Sequence, residues 1–274
     1  MKPVLLTIGA LELRAYSTMI VVAAVAGVTV AYLVARRRGL PARGVLAFLL
    51  GSALAVPVGA RLLHIALNPS IYADDPARAF SLRATGFALY GGLLLAALVG
   101  WLVARRMKLD LWRLADAGVP GIATGLVLVR FGCFMNGCCF GHPTDSPLGV
   151  TFPSGSMPHL WEMGQGLVSI FGAPIPLHPA QLYEASGAVI ALLVAAILYK
   201  RGARDGVSFL VFVAMFSGVR WANWELFRVH PSSFSAPDWF YPLAYGVLIV
   251  ACALLVIVRS RVQPDARPKD LQRR

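Results

Sequence analysis

The sequence predicts an all-α membrane protein: a bundle of seven transmembrane helices with the N-terminus outside and the C-terminus in the cytoplasm. Composition is the first observation behind this prediction, because 58% of the 274 residues are hydrophobic and 14% are charged. Soluble domains average about 45–50% apolar and about 25% charged residues. A soluble fold could not hide this excess without apolar patches that aggregate, and disordered chains are poor in apolar residues.

The spacing of apolar segments is the second observation. A helix needs about 20 mostly apolar residues to cross a bilayer. The stretches that meet this requirement are residues 15–35, 44–67, 86–104, 114–135, 182–199, 206–227 and 239–258. We therefore expect a membrane domain over residues 1–258, followed by a basic cytoplasmic tail over residues 259–274.

The distribution of Lys and Arg is the third observation, and it predicts the orientation. Cytoplasmic loops of membrane proteins are rich in Lys and Arg. With the N-terminus outside, most of the 25 basic residues fall in cytoplasmic loops and the tail, whereas the outside loop over residues 137–181 has none. The net charge of +12 then faces anionic lipid. No nucleic-acid-binding motif accompanies this charge, so we expect no nucleic-acid partner.

Polar side chains inside the predicted spans fall in one half of the bilayer. An Arg or Asp at the centre of a spanning helix costs about 2.5–3.5 kcal/mol, so such residues require a partner or a function. In the predicted topology they lie near the outer ends of six helices, and they are Tyr16, Arg61, His64, Tyr90, Arg130, Asn136, Glu184, Arg220 and Glu225. The inner halves carry almost no charge.

Three arginines in this outer layer predict an anion site. A guanidinium group binds phosphate through two parallel N–H donors, and the abundant anion of an outer leaflet is a phospholipid headgroup. Each arginine alone could instead extend its charge to the membrane surface. The depth shared by Arg61, Arg130 and Arg220, together with Glu184 and Glu225, favours a built site.

Six sequence motifs point to a family. They are Arg14-Ala-Tyr16, Gly59-Ala-Arg61-Leu62, Tyr90-Gly91-Gly92-Leu93, the run from Arg130 to Gly141, the run from His178 to Glu184 and the run from Arg220 to Arg228. On these motifs the chain resembles the prolipoprotein diacylglyceryl transferases of the bacterial inner membrane. The family signature reads Gly-Arg-x-Gly-Asn-Phe-x-Asn-Gly-Glu-x-x-Gly, and the family's His-Pro-Ser-Gln-Leu-Tyr-Glu run is nearly identical to residues 178–184. These two motifs together are highly specific.

The resemblance implies a reaction, a location and partners. The family transfers the diacylglyceryl group of phosphatidylglycerol to the thiol of a lipobox cysteine in an exported prolipoprotein. Glycerol phosphate leaves, and neither a metal nor a diffusible cofactor takes part. The resemblance also implies a seven-helix bundle in the bacterial inner (plasma) membrane, with its active site towards the outer leaflet. The expected partners are phosphatidylglycerol, membrane lipid and the prolipoprotein signal peptide.

Candidate site residues follow from the polar layer and the motifs together. A group must act on the thiol proton, because the thiolate is the nucleophile, and cations must hold the departing phosphate. The catalytic candidates are Tyr90, His64, Arg130, Asn136 and Glu225. The substrate-binding candidates are Tyr16, Arg61, Arg130, Gly141, Glu184 and Arg220. Asn136 and Gly141 are also expected to order the loop that leaves the fourth helix.

Departures from the family pattern leave other functions open. Val129 replaces the signature glycine, and Cys133 and Cys138 replace its asparagine and glutamate. Arg220 precedes Glu225 by five residues, where the family spacing is four. A paralogue with another acceptor, or a lipid-binding protein without catalysis, would be compatible with these changes. A transporter is a third alternative, but a transport path requires polar residues in the inner halves as well.

A further departure concerns a histidine and a tyrosine. Tyr90 stands where the family has the histidine of His-Gly-Gly, and His64 stands where the family has a tyrosine three residues after the arginine of Gly-Ala-Arg-Leu. The two side-chain types have thus changed places. Because histidine transfers protons readily near neutral pH, we expect His64 to handle the thiol proton with Tyr90 as its hydrogen-bonding partner. Sequence drift, with His64 an amphipathic residue at the membrane surface, is the alternative.

Cysteines cluster at the outer end of the fourth predicted helix, where Cys133, Cys138 and Cys139 lie close in sequence, and Cys252 stands alone in the seventh. The spacing Cys-x4-Cys-Cys-x2-His matches no standard zinc template. Small apolar packing residues, a disulfide in an oxidising compartment and a metal site are the three interpretations. The sequence favours packing over a disulfide, and a disulfide over a metal.

Overall fold

Helices make up most of the structure, a computed structural model that describes residues 4–8, 11–73, 75–80, 88–230 and 239–261. In this part of the chain the helices are α1 (Ala15–Arg37), α2 (Ala42–Leu67), α3 (Pro69–Ala73), α4 (Leu89–Arg106), α5 (Leu111–Asn136), α6 (Met157–Gly164), α7 (Ala180–Lys200), α8 (Val207–Leu226) and α9 (Phe240–Arg261), with a 3₁₀ segment at Pro76–Phe80. The strands are β1 (Val4–Ile8), β2 (Leu11–Arg14), β3 (Val150–Thr151) and β4 (Pro176–Leu177). They pair as two short antiparallel sheets, β1 with β2 and β3 with β4. The fold is therefore mostly helical, as predicted.

Six of the described helices are long and apolar enough to cross a membrane. They are α1, α2, α5, α7, α8 and α9, and they coincide with six of the seven predicted segments. The remaining predicted segment, residues 86–104, corresponds to the 18-residue helix α4, and residues 86 and 87 lie outside the described part of the chain. The prediction of a multi-pass helical membrane protein is confirmed, and the seventh span stays a prediction.

Several helices continue past the predicted ends of their spans, and α1 and α9 are two of them. α1 ends at Arg37 and α9 ends at Arg261, so both helices finish with arginines. A cation in the last turn of a helix interacts favourably with the backbone dipole. The helix can therefore extend beyond the last of its apolar residues. The first three residues of the predicted tail therefore belong to α9, and residues 262–274 lie outside the described residues.

The chain divides into two compact units, residues 28–118 (the small unit) and residues 1–27 with 119–274 (the large unit). In the small unit, α2 and α4 pack through facing glycines. A Cβ at Gly59 would overlap the carbonyl oxygen of Gly91, and a Cβ at Gly91 would overlap that of Gly59. Glycine thus allows the two helices to approach at backbone distance, which is a common mode of packing in membranes.

Small residues also allow close packing in the large unit. A Cβ at Gly187 of α7 would overlap the side chain of Val219 of α8. A Cβ at Gly132 of α5 would lie 2.7 Å from Cβ of Met19 of α1. Because these helices approach closely, polar side chains can reach one another at one end of the large unit. This end is formed by the start of α1, the end of α5, the start of α7 and the end of α8.

The segment between α5 and α7 folds around a small aromatic core. Phe140, Phe152 and Leu177 are buried there, and Phe134 and Trp161 pack against them. The rings of Phe140 and Trp161 meet edge to face with centroids 5.4 Å apart, an arrangement that aromatic pairs favour. This core holds the chain that leaves α5 against the end of the large unit where the polar side chains lie.

Candidate active site

A buried carboxylate lies at the centre of the polar end of the large unit. The side chain of Glu184 is 3% exposed. Its Oε2 forms an ion pair with Nη2 of Arg130 at 2.6 Å and accepts a hydrogen bond from Nη1 of Arg220 at 2.7 Å. Its Oε1 accepts from Nδ2 of Asn223 at 2.8 Å. We call these four residues the arginine–glutamate cluster. It joins α5, α7 and α8, and it brings together three of the residues that the sequence predicted.

The arginine–glutamate cluster carries more positive than negative charge. Two guanidinium groups share one carboxylate, and their side chains are 14% and 22% exposed for Arg130 and Arg220. Nε of Arg130 is buried, and no acceptor for it lies among the described residues. A buried donor without a protein acceptor, next to excess positive charge, suits an anionic ligand. The cluster can therefore bind an anion such as a phosphate ester.

Asn223 is a cluster residue that sequence reasoning missed, and Glu225 is a predicted residue that the structure places elsewhere. Arg220 and Asn223 are three residues apart and so share one face of α8. Asn223 is buried, and it also donates to the carbonyl oxygen of Ala180 at 3.2 Å. Glu225 is exposed and lies about 140° around the helix from Arg220. The i, i+3 spacing from Arg220 is the signal that could have identified Asn223.

The chain turns sharply where α5 ends at Asn136. Gly137 has a φ of +73°. Its N–H donates to the carbonyl oxygen of Phe134 at 3.2 Å, and the N–H of Cys138 donates to the carbonyl oxygen of Cys133 at 3.1 Å. This pair of hydrogen bonds is the Schellman motif, which favours glycine in the left-handed position. It returns the chain over the last turn of α5.

Gly141 lies in the narrowest part of this loop. Its N–H donates to the carbonyl oxygen of His178 at 2.9 Å, and it pairs with Arg228 as an isolated β-bridge. A Cβ at this position would overlap the carbonyl oxygen of Phe227 and lie 2.6 Å from Cβ of His178. The loop therefore passes between the start of α7 and the end of α8, with room for glycine alone.

We expect Gly141→Leu to destabilise the protein, because the new side chain must displace backbone on both sides. Overpacking costs typically about 1–3 kcal/mol, and the displaced segments lead into α7 and out of α8, which carry residues of the arginine–glutamate cluster. Thermal unfolding in detergent measures the loss of stability. Gly164→Leu is the matched control, because nothing lies within 4 Å of a Cβ at Gly164. Equal unfolding temperatures for the two variants would contradict the prediction.

His178 is held in an aromatic environment at the start of α7. Its Nδ1 lies 3.0 Å from the hydroxyl of Tyr183, and its ring meets that of Phe227 edge to face with centroids 5.0 Å apart. Burial, and then the nearby charge of His142, lower the pKa of His178. A lowered pKa favours the neutral ring, and the contacts of this ring position the start of α7.

Three thiols converge beside the arginine–glutamate cluster. Sγ atoms of Cys133, Cys138 and Cys139 all lie within 4.8 Å of one another. Nη2 of Arg228 donates to Sγ of Cys139 at 3.2 Å. The hydrogen bonds from Cys133 and Cys138, and then the charge of Arg228, lower the pKa of the Cys139 thiol.

All four cysteines of the chain lie within the described residues, and all are free thiols. The predicted disulfide alternative is therefore absent from this structure. Burial of Cys133 and Cys252 agrees with the packing interpretation, whereas Cys138 and Cys139 are half-buried. Tyr16, at the start of α1, lies within electrostatic reach of the three clustered thiols and of Arg130.

In the small unit, the predicted residues lie beside the crossing of α2 and α4. Arg61 follows Gly59 by two residues, and Tyr90 directly precedes Gly91. Nδ1 of His64 lies 2.8 Å from the hydroxyl of Tyr72 in α3. The structure thus gives His64 a tyrosine partner, but this partner is Tyr72 where the sequence predicted Tyr90.

The fold and the site together define a class of protein: a multi-pass membrane protein with a cation-rich polar site built between its helices. Comparison with known sequences identifies one family within this class. The chain belongs to the prolipoprotein diacylglyceryl transferase family, whose model matches residues 3–261.

Named relatives cover most of the chain. A phosphatidylglycerol–prolipoprotein diacylglyceryl transferase of Geobacter sulfurreducens is 34% identical over 241 residues, which are 86% of this chain and 83% of that protein. One of Cupriavidus pinatubonensis is 31% identical over 239 residues, 85% of this chain and 80% of that protein. One of Synechococcus elongatus is 30% identical over 205 residues, 74% of this chain and 67% of that protein.

Proposed function

We propose that this protein transfers the diacylglyceryl group of phosphatidylglycerol to the thiol of a lipobox cysteine in an exported prolipoprotein, with release of glycerol phosphate. Membership of the family and the names of the relatives support this reaction. The structural observation that carries it is the pair of arginines that share the carboxylate of Glu184. Such a cluster keeps a positive charge between the helices. This charge suits the reaction, because its leaving group is a phosphate ester.

Arg130 and Arg220 hold the phosphate of the lipid in this proposal. Negative charge grows on the phosphate oxygen as the bond to the diacylglyceryl group breaks, and preorganised cations stabilise that charge. Glu184 keeps the two guanidinium groups side by side, because its ion pairs with both of them fix their positions before the lipid binds. Arg130 can donate through the buried Nε that has no acceptor in the described part of the chain.

The remaining candidates position the substrates or act on the thiol proton. We propose that Tyr16 and Gly141 of the large unit contribute to binding of the lipid and the peptide, with Asn136 shaping the site from the end of α5. We also propose that Arg61 of the small unit contributes to substrate binding. His64 and Tyr90 remain candidates for proton transfer. Glu225 was predicted for the same role, but its exposed position on α8 makes it the weakest of the catalytic candidates.

We propose that α4 is the seventh span and that the N-terminus lies outside. Basic residues end several helices, with Arg36 and Arg37 in the last turn of α1, Arg105 and Arg106 in that of α4, Lys200 in that of α7 and Arg259 and Arg261 in that of α9. Placing these ends in the cytoplasm satisfies the positive-inside rule. The arginine–glutamate cluster then faces the outer leaflet of the bacterial inner membrane.

The test of the proposed reaction uses purified full-length protein with phosphatidylglycerol and a synthetic lipobox peptide. Mass spectrometry of the peptide reports the added diacylglyceryl group. The matched controls are the same peptide with serine in place of the acceptor cysteine, and phosphatidylethanolamine in place of phosphatidylglycerol. A thioether product that forms in the complete reaction and in neither control supports the proposal. Binding of phosphatidylglycerol without product would identify a lipid-binding protein instead.

We expect His64→Phe to lower turnover by about 10²-fold or more, because a positioned acid or base contributes about 10²–10⁴-fold. The double exchange His64→Tyr with Tyr90→His should restore a measurable part of the activity, since it returns the side-chain types to the arrangement of the family. Product formation with the lipobox peptide measures both effects. Tyr72→Phe is the control that removes the hydrogen bond to His64 while leaving the imidazole in place.

Two outcomes would contradict the assignment of His64. The first is full activity of His64→Phe together with loss of activity in Tyr90→Phe, which would show that Tyr90 acts directly. The second is a double exchange no more active than His64→Phe alone, because the two positions would then not share one function.

A further inference from the structure

The three clustered thiols are a feature that the proposed reaction leaves unused. Cys133 and Cys138 occupy the positions where the family signature has asparagine and glutamate, and Cys139 follows directly. We propose that these three thiols bind one zinc ion, and that the ion keeps a coordination position open for the thiol of the acceptor cysteine. Metal binding by the cluster is independent of the transferase reaction, whereas the role of the open position rests on the proposed function.

The backbone brings the three sulfur atoms together. The Schellman turn at Gly137 returns the chain over the last turn of α5, which places Cys138 above Cys133. Cys139 then adopts a φ of +62°, a left-handed conformation that is unfavourable for a residue other than glycine. Such a conformation persists where the surrounding structure holds it, and it is concentrated at functional sites. The convergence is thus a product of this turn, and the sequence spacing alone does not show it.

The distances suit a tetrahedral thiophilic ion. A Zn–S bond is about 2.3 Å long, which places the sulfur atoms of a tetrahedral site about 3.8 Å apart. The three Sγ atoms already lie within 4.8 Å of one another, so each pair has to close by about 1 Å or less to reach that distance. Ligand sets of thiolates select zinc and monovalent copper over magnesium and calcium.

Two arginines provide the charge that a thiolate site requires. Nη2 of Arg228 donates to Sγ of Cys139 at 3.2 Å, and Nη1 of Arg130 lies 3.9 Å from Sγ of Cys133. Groups that hydrogen-bond to metal ligands orient them and tune the metal. A divalent ion and two guanidinium groups offset the three negative thiolates, so the filled site does not bury uncompensated negative charge.

Three protein ligands leave zinc with one open position, as in catalytic zinc sites. Cys138 and Cys139 are half-buried, so a ligand can approach from their exposed side. When an acceptor thiol binds there, its S–H bond breaks, its proton leaves to water and a sulfur–zinc bond forms. The bound thiolate keeps a lone pair for attack on the glycerol carbon. The new carbon–sulfur bond forms as the carbon–oxygen bond to phosphate breaks, and glycerol phosphate leaves with the electron pair.

Binding of Cd²⁺ tests the metal site, because cadmium–thiolate bonds absorb in the ultraviolet through charge transfer. We expect the reduced, purified protein to bind one Cd²⁺ with a charge-transfer band, and added Zn²⁺ to remove the band by competition. Cys133→Ser, Cys138→Ser and Cys139→Ser should each weaken binding at least ten-fold. Cys252→Ala is the matched control, because Cys252 is a buried free thiol of α9 outside the cluster, and it should bind as the parent does.

Thermal unfolding gives a second measurement that does not depend on absorption. An ion that binds the folded state raises the unfolding temperature, so Zn²⁺ should raise it in the parent and in Cys252→Ala but not in Cys139→Ser. The proposal is overturned if the parent shows no charge-transfer band, or if the three serine variants bind Cd²⁺ as tightly as the parent. A disulfide among the three cysteines that persists in the active protein would overturn it as well.

The open position has its own test with Co²⁺, whose visible spectrum changes with its ligands. A lipobox peptide should change the spectrum of the Co²⁺-loaded protein, and the same peptide with serine for the acceptor cysteine should not. An unchanged spectrum with the cysteine peptide overturns the open position. Transferase activity of the metal-free protein would overturn the role of the open position and leave the proposed function intact. Metal binding without any thioether product would leave the metal site intact and contradict the proposed function, together with the role of the open position that rests on it.

Discussion

Glu184→Gln is expected to destabilise the protein strongly. The glutamine preserves the size of the side chain and removes the charge that two guanidinium groups share at 2.6 and 2.7 Å. Arg130 and Arg220 would then lie close together in a buried site without a counter-ion. Removing one partner of a buried ion pair costs about 3–5 kcal/mol, and here the lost carboxylate neutralises two cations.

Thermal unfolding in detergent measures this loss, and two further variants show its cause. Glu225→Gln removes an exposed carboxylate of α8 and should unfold at the temperature of the parent. Arg220→Gln added to Glu184→Gln should recover part of the lost stability, because one of the two opposed charges is gone. An unfolding temperature for Glu184→Gln within experimental error of the parent would show that the carboxylate does not hold the cluster together.

The membrane helices could be predicted because hydropathy is a property of contiguous segments. An apolar stretch of about 20 residues has few ways to satisfy its backbone other than a spanning helix, and six such helices are found where the sequence places them. The helix ends could not be predicted to the residue, since the arginines at the ends of α1 and α9 continue the helix beyond the apolar pattern. α4 is shorter, and its assignment as a span rests on topology.

The charged members of the site could be predicted because they are costly in a bilayer. Arg130, Glu184 and Arg220 stand out against apolar neighbours, and the structure joins them. Asn223 could not be found in the same way, because a neutral amide in an apolar helix is not conspicuous. Tyr72 lies in a short helix outside the predicted spans, so its hydrogen bond with His64 depends on how the chain turns after α2.

The convergence of the cysteines could not be predicted because it depends on backbone angles. The sequence favoured packing over a metal, since the spacing of Cys133, Cys138 and Cys139 matches no zinc template. The left-handed conformations of Gly137 and Cys139 bring the three sulfur atoms together regardless of that spacing. The positive φ of a cysteine is set by the surrounding structure rather than by the preference of the residue. No local sequence pattern therefore predicts it.

Arg130→Ala is expected to abolish turnover, with a loss of about 10²–10³-fold or more in kcat, the effect of removing one donor that stabilises transition-state charge. Arg130→Lys should recover little of this activity. The guanidinium group of Arg130 contacts Glu184 through Nη2 and approaches Cys133 through Nη1, while its Nε has no acceptor among the described residues. A lysine replaces this planar set of donors with a single point of charge.

The same variants separate a catalytic role of Arg130 from a structural one. Arg130→Ala leaves the pair of Glu184 and Arg220 intact, so its unfolding temperature should fall less than that of Glu184→Gln. Arg105→Ala is the control for loss of a positive charge, since Arg105 lies in the last turn of α4 over the ring of Trp101, and it should retain the activity of the parent. Full thioether production by Arg130→Ala would refute the assignment of Arg130 to the lipid phosphate. A loss confined to KM would assign it to binding of the ground state and not to the departing phosphate.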